Sequence, residues 1–196
     1  YTYRTWNEKR LFIAIKLNKT TLDALQSLQK KLKQALPYQG IRWVDPELFH
    51  LTLQFLGDTE MSQVPTLVAN LESAAAKAES FELSIEGVGF FGSRNAVRTI
   101  WAGTKPSIQF RRLFEEVIYS TDFIQIEQPP RFSPHLTLAR GSDWLGREES
   151  IKITDIIAGQ KSTAIGVIRV SSFELIESTL YPTGPVYKTF KKFHLV

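Results

Sequence analysis

The tetrapeptide His50-Leu51-Thr52-Leu53 recurs unchanged as His135-Leu136-Thr137-Leu138, within HLTLQFLGD (50–58) and HLTLARGS (135–142). In an extended strand, side chains two residues apart point the same way. Each copy therefore sets a histidine beside a threonine on one face and two leucines on the other. The leucines explain themselves as core. A polar His-x-Thr face has no packing reason to recur. By average residue usage, Leu-Thr-Leu after a given histidine is expected roughly once in a few thousand times. Here it follows two of the chain's three histidines. Two such strands facing each other would line a cleft with two imidazoles and two hydroxyls.

Working outward from the motifs, RLFIAIKL (10–17) reads as a buried strand. Leu22, Leu25, Leu28, Leu32 and Leu36 then recur at helical spacing, with Thr20 or Thr21 as N-cap and Pro37 as the stop. The first motif lies in an apolar run over 48–56, with Gly57-Asp58 read as a turn. A second helix is expected over 61–79 and strands over 81–90 and 97–103, joined by GSRN. A third helix is expected over 106–120. The second motif opens a strand after Pro129, Pro130 and Pro134. Residues 141–160 are polar and contain glycine, and read as a variable loop. Segments 163–176 and 178–193 read as the closing strands. Hairpins among helices argue against a purely parallel sheet. The expected fold class is α+β, two-lobed and pseudo-twofold, with antiparallel sheets lining a central cleft and helices outside. No linker separates two units, so residues 1–196 are expected to be one domain of two intertwined lobes.

The chain has 196 residues, 43% hydrophobic and 22% charged, which is ordinary globular usage and excludes a disordered or fibrous protein. It has no cysteine, so disulfides, thiolate nucleophiles and cysteine-based zinc sites are excluded. The net charge of +4 is compatible with a polyanionic ligand without demanding one. The first residues, YTYRTWNEKR, contain no apolar signal segment, and no run reaches membrane-spanning length. A cytoplasmic protein with no membrane association and no obligate protein partner is expected.

The paired motifs suit phosphoryl transfer without a metal. One neutral imidazole takes a proton from an attacking oxygen while the other, protonated, gives one to the departing oxygen across phosphorus. Histidine alone has both forms available near neutral pH. The threonine hydroxyls donate to the non-bridging phosphate oxygens as charge builds. A zinc site is the chemical rival, but it needs a third ligand, and Asp45, Asp58 and Asp143 are near only in sequence. No cofactor is expected. His194 reads as a strand-end residue without a role.

Arg140 stands at an odd offset from His135, which in a straight strand aims it away from the cleft; a bend at Gly141 would bring its guanidinium back toward phosphate. Arg42, Arg94 and Arg131 are weaker candidates for phosphate contact. Trp43, Phe49, Phe90 and Phe91 are candidates for base stacking, with core packing the favoured use. Gly87, Gly89 and Gly92 formally match G-x-G-x-x-G. The stretch after them, SRNAVRTIWAG, reads as a turn and a strand rather than a helix. Arg111 and Arg112 stand where an acidic residue should be, so these glycines read as a bulge or tight bend.

Together RLFIAIKL, HLTLQFLGD, VRTIWAG, RFSPHLTLAR and FELIESTLYPTGPVYKTF resemble, in order and over nearly the whole chain, the 2H phosphoesterase superfamily. The likeness is to its RNA 2',3'-cyclic phosphodiesterase branch, bacterial and archaeal enzymes once described as 2'-5' RNA ligases. The resemblance implies hydrolysis of a terminal 2',3'-cyclic phosphate on RNA to a 2'-phosphate. It implies His50 as proton donor to the 3' oxygen and His135 as acceptor from water, an order the two identical motifs do not reveal. It implies Thr52, Thr137 and Arg140 as phosphate ligands. The stretch before Arg10, with Arg4, Lys9 and Arg10, departs from the family pattern and reads as a tail or an RNA contact. A phosphodiesterase for a small cyclic nucleotide and a non-catalytic module that binds RNA ends are the alternatives.

Overall fold

The computed structural model describes residues 7–126 and 132–196, so Arg4, Pro129, Pro130 and Arg131 lie outside the described residues. Within them the chain runs β1 (Glu8–Lys16), α1 (Lys19–Ala35), β2 (Ile41–Trp43), a 3-10 turn (Pro46–Leu48), β3 (His50–Glu60) and α2 (Val64–Ala76). It continues through β4 (Phe81–Ser93), β5 (Ala96–Thr104), α3 (Ile108–Ser120), β6 (His135–Gly141) and α4 (Arg147–Ala158). Strands β7 (Ala164–Val170), β8 (Ser172–Tyr181) and β9 (Gly184–His194) close it.

The strands form two antiparallel sheets, ordered β3-β1-β8-β9 and β2-β6-β5-β4-β7. Starting from the motif strand, β3-β1-β8-β9 corresponds to β6-β5-β4-β7, with β2 added outside β6. The α+β class and the duplicated, two-lobed arrangement are as the sequence implies. The lobes do not divide at the middle of the chain. β8 returns to pair with β1 and carries β9 on its outer edge, and β2 leaves the first half to pair with β6.

Helices α1 and α4 pack on the second sheet, and α2 and α3 on the first. Their apolar residues, including Leu25, Leu67, Leu113 and Ile153, join Leu51, Leu53, Leu136 and Leu138 in one contiguous core. The leucine face of each motif strand is thus the covered face, and the His-Thr face is left for the cleft. Buried Gln29 of α1 links this layer to the second motif: its amide donates to the carbonyls of Val44 and Leu138, at 2.7 and 3.1 Å. No helix among the described residues is long and apolar enough to cross a membrane.

Several expectations are corrected. The N-cap of α1 is Asn18, whose side-chain oxygen accepts from the Thr21 backbone N–H at 2.8 Å, in place of Thr20 or Thr21. Gly57-Asp58 is not a turn. β3 runs on to Glu60, and Gly57, at φ 75°, absorbs a register slip against β1. Glycine's freedom at positive φ serves a bulge here as readily as a turn. α2 is shorter than expected at both ends. β1 starts at Glu8, so Lys9 and Arg10 belong to a strand rather than a tail, and Lys9 pairs with Glu177 at 2.7 Å.

The expected loop over 141–160 contains α4. Its buried face is Ser150, Ile153, Thr154 and Ile157, half of it hydroxylated, which hides the helical period of apolar residues. The Ser150 hydroxyl accepts from the Val97 N–H at 3.3 Å, so burying it is satisfied. The Glu149 carboxylate accepts from the Gly146 N–H at 2.9 Å and caps the helix start. The segment 163–176 is two strands, not one. The chain passes from the second sheet to the first across Ser171, and a period-two pattern continues unbroken through such a switch. Ile153 is fully buried in the core, so Ile153→Ala is expected to cost about 2–5 kcal/mol of stability. Urea denaturation reads this as a lower midpoint at unchanged slope; an unaffected midpoint would return the segment to a loop.

Candidate active site

Strand β1 pairs Lys16 with His50 and Ala14 with Thr52, and strand β5 pairs Gly103 with His135 and Trp101 with Thr137. Cross-strand partners share a face. His50 and Thr52 are half-buried while Leu51 and Leu53 are buried, and the second motif repeats that pattern residue for residue.

After the threonine both strands do the same unexpected thing. Ile13 pairs with Gln54 while Ala14 pairs with Thr52, which leaves Leu53 as an extra residue. Ile100 pairs with Ala139 while Trp101 pairs with Thr137, which leaves Leu138 as an extra residue. A bulge of one residue inverts the alternation beyond it. Leu53 and Gln54 are therefore both buried, as are Leu138 and Ala139. Residues five after each histidine then return to the histidine face. In one half that residue is Arg140, in the other Phe55. The bend that aims Arg140 inward is thus at Leu138, not at Gly141.

Each imidazole is held the same way. His50 Nδ1 lies 2.7 Å from the Leu48 carbonyl oxygen, and His135 Nδ1 lies 2.7 Å from that of Ser133. A carbonyl only accepts, so Nδ1–H donates and Nε2 is left as the nitrogen that can exchange a proton with a ligand. The carbonyl of Leu48 is set by the 3-10 turn, whose cap Asp45 accepts from the Glu47 N–H at 3.0 Å. Asp45 is therefore structural.

Aromatic rings pack against both imidazoles. Phe12 and Tyr187 stand 4.9 and 5.3 Å from His50, and Phe91 stands 4.8 Å from His135 with Trp101 at 6.5 Å. This burial is the main cause that pushes both imidazoles below the ordinary histidine pKa, partly countered by the carbonyl hydrogen bonds. The Arg140 charge lowers both further, and the His135 charge also lowers His50. Arg140 thus acts on the two histidines together. Burial raises the Tyr187 hydroxyl, against the opposing charges of Arg140 and Arg10. These effects bring His50, His135, Arg140 and Tyr187 into one electrostatic site across the two sheets.

Arg42 pairs with Arg140 across β2 and β6 and shares its face. Arg94 does not join the site. It pairs with Asp155 at 2.7 Å and borders a separate cavity of about 610 Å³ beneath α4, which meets the cleft residues only through Trp101 and Gly103. Phe91 alone of the expected stacking residues reaches a histidine; Phe49 is core, and Trp43 and Phe90 pack against it. Gly87 sits at a slip between β4 and β5, as expected of a bulge. Gly89 has a different use: a Cβ there would meet the Trp101 indole at 2.2 Å. His194 ends β9, exposed. Among the described residues, no three His, Cys, Asp or Glu side chains gather so that they could hold a metal ion.

Two features escape the sequence. Lys16 lies opposite His50, with its ammonium 2.9 Å from both the buried Glu174 carboxylate and the Thr189 hydroxyl, which itself donates to Glu174 at 2.6 Å. These residues come from β1, β8 and β9, and no local pattern links them. Tyr187 likewise meets His50 only through the return of β9.

Comparison with known proteins agrees with this architecture. A family model described as LigT like Phosphoesterase matches residues 15–101, a span that includes the first motif. A protein of Archaeoglobus fulgidus named RNA 2',3'-cyclic phosphodiesterase is 28% identical over 94% of this chain and 99% of its own. A protein of the same name from Methanothermobacter thermautotrophicus is 29% identical over 95% and 98%. Among solved structures, TT0787 of Thermus thermophilus superposes with a TM-score of 0.74 at 27% identity, covering 95% of this chain and 97% of that one.

Since the Arg140 charge lowers both imidazoles, Arg140→Gln is expected to raise both histidine pKa values. Titration of the ring-proton resonances by NMR checks this, and movement of only one histidine would place Arg140 outside a shared site.

Proposed function

The chain belongs to the LigT-like phosphoesterase family, and on that footing we propose that it hydrolyses the 2',3'-cyclic phosphate at an RNA end to a 2'-phosphate without a metal. The observation that carries this reading is the pair of imidazoles, each tied through Nδ1 to a carbonyl, with Arg140 acting on both. The names of the archaeal relatives favour the same substrate class.

In the proposed reaction, His135 Nε2 takes a proton from water as its oxygen bonds to phosphorus, in line with the 3' oxygen. The bond from phosphorus to the 3' oxygen breaks, and His50 Nε2 protonates that oxygen. One water is consumed, and exchange with solvent restores the two protonation states. Thr52 and Thr137 donate to the non-bridging oxygens, and the Arg140 guanidinium offsets their charge. The assignment of acid and base follows the family resemblance. Both motif strands contribute to one site, so residues 1–196 act as a single domain; RNA is the partner and the cytoplasm the compartment in this reading.

The free protein holds both imidazoles low, which sets a pH signature. Catalysis needs one charged and one neutral, so kcat/KM is expected to be bell-shaped with its optimum below about 6.5, the ordinary histidine value. A bound phosphate anion favours the charged imidazole and offsets Arg140, so the bell in kcat lies at higher pH. Coincident bells, or a rate that only rises with pH, would contradict this division of labour. A short RNA bearing a 2',3'-cyclic phosphate tests the reaction itself. With excess EDTA the wild type is expected to yield a 2'-phosphate, and His50→Ala and His135→Ala to lose on the order of 10² to 10⁴ in rate. A 3'-phosphate product, or activity abolished by EDTA, would overturn the reading.

A further inference from the structure

Beside His50 the wall of the cleft carries charges that the reaction proposed above does not use. Lys16 lies opposite His50 on β1, and Ala14 lies opposite Thr52. Ala14 in turn pairs with Glu174 of β8, and Glu174 with Lys192 of β9. Cross-strand partners share a face, so Thr52, Ala14, Glu174 and Lys192 form one row across the four strands on the histidine side of the sheet. Glu174 is only 6% exposed. Its carboxylate accepts from the Lys16 ammonium at 2.9 Å and from the Thr189 hydroxyl at 2.6 Å. The same ammonium donates to the Thr189 hydroxyl oxygen at 2.9 Å. An ammonium has three donors, so one is left over. Lys16 and Lys192 are both exposed, and two ammonium groups against one carboxylate leave this wall with a single positive charge in excess.

We propose that Lys16 binds the phosphodiester that joins the terminal nucleotide to the one before it, and so makes the site select RNA ends over free cyclic mononucleotides. This rests on the reading of His50 as the group that protonates the 3' oxygen. In ribose the 3' carbon is bonded to the 4' carbon, which carries the 5' carbon and the preceding chain. The 2' carbon is bonded instead to the carbon that bears the base. The chain therefore enters on the His50 side of the reacting phosphate, where Lys16 stands. A phosphodiester carries one negative charge, which matches the excess on this wall. A free lysine holds its ammonium on a flexible stem. Here the buried carboxylate and the Thr189 hydroxyl fix it before the substrate arrives, so little ordering is left to be done on binding. The cations divide the labour between the sheets: Arg140 of β6 for the reacting phosphate, Lys16 of β1 for the linkage behind it.

The test compares two adenosine dinucleotides that end in the same 2',3'-cyclic phosphate. One has the natural phosphodiester between its nucleosides, the other an uncharged methylphosphonate. Both carry a 2'-O-methyl group on the first ribose, which keeps the linkage intact. The wild type is expected to favour the phosphodiester in kcat/KM roughly 10-fold, the scale of one charge-assisted hydrogen bond. Lys16→Met should abolish that preference, and Lys16→Arg should retain it. Lys16→Met leaves the buried Glu174 without its cation, so the double variant Lys16→Met/Glu174→Gln is measured beside it and should lose the same preference. A wild type indifferent to the linkage, a methionine variant that keeps the preference, or equal losses on both dinucleotides would overturn the proposal. The last result would make Lys16 no more than the partner of Glu174. Calorimetry with the two dinucleotide 2'-monophosphates separates this inference from the hydrolase reading. If the wild type opens no cyclic phosphate, that reading fails. The role of Lys16 stands even so if the wild type binds the phosphodiester form more tightly and Lys16→Met binds both forms alike. It fails if the variant discriminates as the wild type does.

Discussion

One extra residue in each motif strand governs the geometry of the cleft. Up to the threonine, both strands obey plain alternation, leucines into the core and His-Thr outward. At Leu53 and Leu138 that alternation breaks, because the strand places two successive residues in the core. The core favours the break, since Leu53 and Leu138 are buried and their successors Gln54 and Ala139 fit beneath the sheets. The consequence appears on the other face. Without the bulge, Arg140 and Phe55 would point into the protein, where an unpaired guanidinium would be costly to bury. With it, a cation and an open ring are delivered to the same face as the imidazoles.

The electrostatics follow from that placement. Rings packed against both imidazoles exclude water and disfavour their charged forms, while the backbone carbonyls of Leu48 and Ser133 partly restore them. Arg140 adds a further penalty on protonation that a bound phosphate would relieve. The free site is thus held in a state that an anionic ligand shifts toward the charged imidazole. In the proposed reaction, phosphate binding and imidazole protonation are coupled through that one guanidinium.

The exchange of strands between the lobes makes this possible in a chain of 196 residues. β8 and β9 bring Glu174, Tyr187 and Thr189 to His50, and β4 and β5 bring Phe91 and Trp101 to His135. Both motif strands meet where the sheets come together, and Gln29 of α1 bonds the backbone beneath the second one. Neither lobe is completed by its own half of the chain.

The repeated motif was legible in the sequence because strand alternation is local. His50, Thr52, His135 and Thr137 share faces as their spacing requires, and the leucines lie in the core. The α+β class, helices α1 to α3 and the role of the GVGFFG glycines outside any helix start were readable for the same reason. Helix α4 was not, because half its buried face is Ser150 and Thr154, whose burial depends on partners elsewhere in the chain. The split of 163–176 was not, because changing sheets does not alter a strand's period. The inward turn of Arg140 and Phe55 was not, because a bulge is decided by pairing with β5 and β1, which spacing along one strand does not record. Which residues can do the chemistry is written in the order of the chain; which of them face one another was decided by register and packing, whose contacts join residues far apart in it.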